Sequence, residues 1–127
     1  MKIINKFLIL GFHLANLILI GLYLYPGSIL GCFIYDDCST QPHITKDFLI
    51  SSNHFYMFTV LSILGILAYH NSKNIKFLTI YLLLLSITLE ILHIFIQERG
   101  FEWSDLFGNI IGVVFILIIY KFNKKYV

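Results

Sequence analysis

The sequence predicts an all-α fold: a four-helix transmembrane bundle with both termini cytoplasmic. Three observations predict it. Of the 127 residues, 58% are hydrophobic and only 13% are charged, against roughly 25% charged in an average soluble domain. Polar groups are therefore too few to cover a water-facing surface. The apolar residues gather in four runs, and the lysines cluster in alternate connections between them. The whole chain, 1–127, reads as a single integral membrane domain, with no repeat and no linker.

The expected helices cover about 7–25, 53–70, 77–97 and 104–122. A helix needs about 20 residues to cross the hydrocarbon core. The first run, from Phe7, and the third, from Phe77, meet that length. The second and fourth reach it only if polar flanks, Asn53–His54 and Trp103–Asp105, dip below the headgroups. The stretch "SILGC" ending at Cys32 has a faint likeness to a lipoprotein cleavage site. The apolar run before it is too long for a signal core, and Pro26–Gly27 intervenes, so the first helix is read as retained.

Charge sets the orientation. Lys2 and Lys6 precede the first run, Lys73 and Lys76 separate the second from the third, and Lys121, Lys124 and Lys125 follow the fourth. The other two connections hold only Lys46 and Arg99 as bases, beside six acids. Basic loops stay cytoplasmic, which places 26–52 and 97–105 outside a multi-pass protein of the cell membrane. The net charge of +2 is spread along the chain as these orientation signals, so no nucleic-acid partner is expected. Membrane lipids are the expected surroundings, and the sequence leaves the oligomeric state open.

Loop 26–52 shows no periodic pattern and is expected to fold over the outer mouth of the bundle. Cys32 and Cys38 share it, and an oxidising exterior permits either a disulfide or two free thiols. The other connections are short enough for tight antiparallel hairpins. Ser104 or Asp105 is a natural N-cap for the fourth helix.

The polar residues converge. Glu90, His93 and Gln97 follow i, i+3, i+7, one face of a helix. Asp105, Asn109 and Gly112 follow i, i+4, i+7 on the next. Asn53 and His54 open the second helix at the same side, and Arg99 lies in the turn. A carboxylate within a span costs about 2.5–3.5 kcal/mol, so Glu90 must face the interior and find a partner among His54, His93, Arg99 and Asn109. Gly65, Gly108 and Gly112 allow backbones to approach closely. Polar glue between helices explains one or two such residues. A group gathered at one end points instead to a binding pocket of His54, Glu90, His93, Arg99, Asp105 and Asn109, with Glu90 and His54 as candidate catalytic groups. His13 and Asn16 lie deeper and are read as packing or interhelical bonding, not as part of the site. Glu90-x-x-His93 has the spacing of carboxylate-bridged metal sites, but those carry it on two helices. A metal held by His54, Glu90, His93 and Asp105 is thus the lesser reading, and neither metal nor cofactor is expected.

At these residues the chain resembles the VanZ-like family of small membrane proteins, over about 53–112. The family pattern is His-Phe opening one helix, then Glu, Arg, Asp, Asn and Gly across a helical hairpin. Here these are His54-Phe55, Glu90, Arg99, Asp105, Asn109 and Gly112. Ile50 and Ser51 replace the family's usual acid–base pair, His93 stands where glutamine is usual, and Gln97-Glu98 replaces a common Pro-Gly. The resemblance implies a protein of the bacterial cell envelope. Its namesake is tied to low-level teicoplanin resistance, and no reaction is established for the family. Three functions follow as expectations. The pocket binds an anionic or lipid-linked envelope component; or it is a membrane-embedded enzyme on such a lipid, with Glu90 or His54 as general base; or the protein is a small membrane scaffold.

Overall fold

The computed structural model describes residues 2–126. Helix α1 covers Lys2–Leu24, α2 Ile29–Tyr35, α3 Ser52–Tyr69, α4 Ile75–Leu92 and α5 Trp103–Tyr126. All the regular structure is helical among the described residues, as expected. The segments Ile3–Leu24, Ser52–Tyr69, Ile75–Phe95 and Trp103–Lys124 are each long and apolar enough to cross a membrane. Their outward faces are apolar: Phe7, Leu10, Leu17, Ile80, Leu84 and Ile118 are all exposed. That is the inverse of a water-soluble bundle and suits contact with hydrocarbon.

Three boundaries differ from expectation. Helices α1 and α5 extend past their apolar runs, because lysine and asparagine are compatible with helix. Hydropathy marks the membrane-buried part of a helix, not its ends. Helix α4 stops at Leu92, tightens into a 3-10 turn over His93–Phe95, and Ile96 is extended. Gln97 therefore leaves the polar face on which the i, i+7 spacing put it, and it is exposed. Helix α5 starts at Trp103, and the Leu106 N–H donates to the Glu102 carbonyl at 3.1 Å. Ser104 and Asp105 thus sit in the first turn and not at the N-cap.

Helix α3 is central, with Phe58 and Leu61 buried against Leu82, Leu89 and Val113. Helix α5 crosses it at two glycines. A Cβ on Gly108 would lie 2.8 Å from the Ser51 carbonyl oxygen, and one on Gly112 would lie 2.6 Å from that of Phe55. Gly112→Ala should therefore push the helices apart and destabilise by about 1–3 kcal/mol. Gly11→Ala meets nothing within 4 Å and should be neutral or mildly stabilising. Thermal unfolding in detergent checks the pair; equal melting temperatures would rule out tight α3–α5 contact. Lower in the bundle, the Asn16 amide donates to the Tyr81 hydroxyl at 2.6 Å, and His13 Nε2 pairs with the Tyr69 hydroxyl at 3.0 Å. These are the interhelical bonds expected of both residues.

The 26–52 connection is more ordered than its sequence suggests. Ser28 Oγ caps α2 by accepting from the Gly31 N–H at 3.0 Å. Cys32 and Cys38 form a disulfide. A Cβ on Gly31 would collide with the Thr40 carbonyl, so the chain folds back tightly there. Ser39 and Thr40 donate to the Asp37 carboxylate and hold its pKa down at about 2, from 3.8. The turn should keep this support above about pH 4 and lose it as pH falls through 2. Further along, Asn53 accepts from the Ile44 N–H at 2.9 Å and donates to the Pro42 carbonyl at 2.7 Å. The Ser52 N–H donates to Asp47 at 2.7 Å, which lowers that carboxyl's pKa and caps α3. The Ser51 N–H reaches the Ser104 carbonyl at 3.1 Å. The connection is thereby tied across the ends of α3 and α5. Peptide mass spectrometry without reduction should recover Cys32 cross-linked to Cys38; peptides carrying only free thiols would contradict the bond.

Candidate functional site: a buried histidine–carboxylate cluster

Four helix ends meet beneath this connection. Helix α4 supplies Glu90, 0% exposed, and its 3-10 extension supplies His93. Helix α3 supplies His54, and α5 supplies Asp105 and Asn109. The i, i+3 and i, i+4 spacings turn each pair inward, because neighbours at those offsets share a helix face. The lipid-facing sides of the same helices are apolar, which leaves only the interior for these groups.

Asn109 is the hub. Its amide nitrogen donates to the Ser86 carbonyl at 3.2 Å, and its Oδ1 accepts from the Tyr23 hydroxyl at 2.8 Å. His54 Nδ1 lies 3.0 Å from the same Oδ1. The other ring nitrogen, Nε2, lies 3.2 Å from Asp105 Oδ2. His93 Nδ1 lies 3.3 Å from Glu90 Oε2, and its Nε2 lies 3.1 Å from the Tyr23 carbonyl oxygen. Glu90 Oε1 accepts from the Glu102 N–H at 3.0 Å, which ties the α4–α5 turn to the cluster. Glu90 Oε2 receives no hydrogen bond although it is fully buried.

Of the six residues that sequence reasoning singled out, five are gathered here. Arg99 is placed differently. Its Nε donates to the Tyr25 carbonyl at 3.1 Å, and its Nη2 donates to Leu22 at 3.1 Å and Gly27 at 2.7 Å. It caps the end of α1 and forms no ion pair with Glu90 among the described residues. Burial lowers its pKa, opposed by Tyr23, Asp105 and Glu90. Tyr23 is the member that sequence reasoning missed. Its ring stacks on His93 at 5.6 Å and meets His54 edge-on at 5.0 Å. A lone tyrosine near a helix end reads as an interfacial anchor, and only packing brings it inward.

Two cavities flank the cluster. One, of about 90 Å³, has Tyr23, Ser28, Gln41, Asn53, His54 and Arg99 among its polar lining residues. Leu22, Leu30, Ile44 and Met57 line it as well. Of these, Leu30 and Ile44 are exposed. The second, of about 150 Å³, is reached by His93, Glu102 and Asp105, and Arg99 lines both.

No curated protein and no solved structure matches this chain. The VanZ/LLP1 family matches it over residues 39–124, beyond both ends of the hairpin that carries the motif. With that match covering most of the chain, and with four membrane-length apolar helices bearing the matched polar residues, the protein belongs to the VanZ/LLP1 family and is a multi-pass membrane protein.

Proposed function

We propose that the protein binds the headgroup of an anionic or lipid-linked cell-envelope component at the outer face of the membrane. The observation that carries this reading is the cavity beside Tyr23 and His54, lined both by polar groups, His54 and Arg99 among them, and by apolar ones, of which Leu30 and Ile44 are exposed. An amphiphile has that same division. Its headgroup meets Arg99 and His54, while its chain leaves past Leu30 and Ile44. Arg99 spends Nε and Nη2 on the carbonyls of Leu22, Tyr25 and Gly27, at and just past the end of α1, which leaves Nη1 as the donor for an anion. The teicoplanin-type resistance associated with the family's namesake belongs to the same reading, as a consequence of holding an envelope precursor.

Lipids retained through purification and identified by mass spectrometry test this directly. An anionic or lipid-linked species should be enriched over bulk lipid and lost in Met57→Trp, which fills the apolar wall. No enrichment, or the same enrichment in that variant, would sink the proposal. The reading also needs the cluster to face outward, as the one-sided lysines argue. A cysteine placed at Lys124 should stay unmodified by an impermeant reagent in intact cells; its labelling would invert the topology.

A second reading, an enzyme acting on such a lipid, is favoured by one contact. His54 Nε2 lies 3.2 Å from Asp105, an arrangement that suits a general base. Turnover of a labelled lipid-linked precursor, abolished by Glu90→Gln, would select it; binding without turnover would exclude it.

A further inference from the structure

The hydrogen-bond partners of the two buried histidines settle which ring nitrogens carry hydrogen. The Tyr23 carbonyl can only accept, so His93 Nε2 is the donor of their 3.1 Å bond. The Ser86 carbonyl fixes which end of the Asn109 side chain is nitrogen, so Oδ1 faces His54. His54 Nδ1 is therefore also a donor. Each neutral ring then has one bare nitrogen left, and each bare nitrogen lies beside a carboxylate. His54 Nε2 is 3.2 Å from Asp105 Oδ2, and His93 Nδ1 is 3.3 Å from Glu90 Oε2. Two acceptors do not rest at such distances without positive charge nearby. Among the described residues no lysine or arginine pairs with either carboxylate, and Arg99 donates to the carbonyls of Leu22, Tyr25 and Gly27. Between His54 and Asp105, one added proton or one divalent ion supplies what is lacking. The buried Glu90 Oε2, which receives no hydrogen bond, lies 3.8 Å from His54 Nδ1.

We propose that His54, Glu90 and Asp105 bind a first-row divalent metal ion. One ligand atom from each of the three lies within 4.8 Å of those of the others. Two donors on a tetrahedral ion, with bonds of about 2.0–2.1 Å, lie about 3.3 Å apart, which matches the His54–Asp105 approach. The surroundings also fit. A ligating histidine ordinarily donates its second N–H to a fixed acceptor, and Asn109 Oδ1 is that acceptor for His54. Imidazole with two carboxylates suits the manganese-to-zinc series better than magnesium or calcium alone. Asp105 is the partly exposed member, at 19% for its side chain, and it lines the second cavity through which an ion enters.

The ion is tested without any lipid, so its failure and that of the lipid reading are separable. Full-length protein in detergent, stripped with chelator, is titrated with Co²⁺, and d–d absorption is followed. One saturating equivalent is expected, displaced by Zn²⁺. Asp105→Asn and Glu90→Gln should each weaken binding at least tenfold, while His13→Ala and His43→Ala should not. If Glu90→Gln fails to fold, Asp105→Asn at the rim decides alone. The absence of saturable binding, or equal binding in the Asp105 variant, overturns the site and leaves the cluster's charge to be carried by protons.

Discussion

Asn109→Leu should destabilise the protein by roughly 2–4 kcal/mol, one of the largest effects expected of a single substitution. Leucine is close in volume, so little of the loss comes from packing. The loss comes from three groups that share one amide: the Tyr23 hydroxyl, His54 Nδ1 and the Ser86 carbonyl. A buried polar group left without a partner costs about 1–3 kcal/mol. Interhelical polar pairs in membranes average only about 0.6 kcal/mol, because the unfolded chain in the bilayer also finds partners. Three partners lost together, at a position 0% exposed, lift the sum well above that average. Unfolding of the wild type and the variant in mixed micelles measures it, with Ile118→Ala on the lipid face as a control near zero. A variant within about 0.5 kcal/mol of wild type would show that the hub bonds contribute nothing measurable.

The second large effect belongs to Arg99. Arg99→Ala should cost roughly 2 kcal/mol, because the carbonyls of Leu22, Tyr25 and Gly27 at and just past the end of α1 lose their charged donor. Charged hydrogen bonds contribute about 1.5–3 kcal/mol each, and partial solvent access brings this set to the low end. Arg99→Lys should recover less than half, since one ammonium cannot span carbonyls at Leu22, Tyr25 and Gly27 as the planar fork does. The sequence suggests that Arg99 pairs with Glu90, and the two placements predict different couplings. With Arg99 on α1, Glu90→Gln and Arg99→Lys should be additive within about 0.5 kcal/mol, as for residues out of contact. A coupling above 1 kcal/mol would restore the direct pair.

The sequence by itself determined the spans, the inward faces of α4 and α5, and the close α3–α5 crossing. These follow from local rules. A bilayer demands apolar runs of fixed length, helical periodicity assigns Glu90 with His93 and Asp105 with Asn109 to common faces, and glycine marks where backbones touch. The match of residues 39–124 to the VanZ/LLP1 family agrees with the motif those faces carry. Other features depended on groups far apart in the chain. Gln97 left the polar face because α4 tightened at His93 and ended, a change that spacing cannot signal. Tyr23 joined the cluster from 86 positions away, through Asn109. Arg99 turned from the nearby carboxylate to carbonyls just past the end of α1, more than 70 positions earlier. Helix α2 formed in a stretch without amphipathic pattern, where a serine cap, a disulfide and a tight fold-back at Gly31 held it. Periodicity can place a polar group on a face. Which partner satisfies it is settled only when the helices pack, because a buried donor takes whichever acceptor the fold brings within about 3 Å.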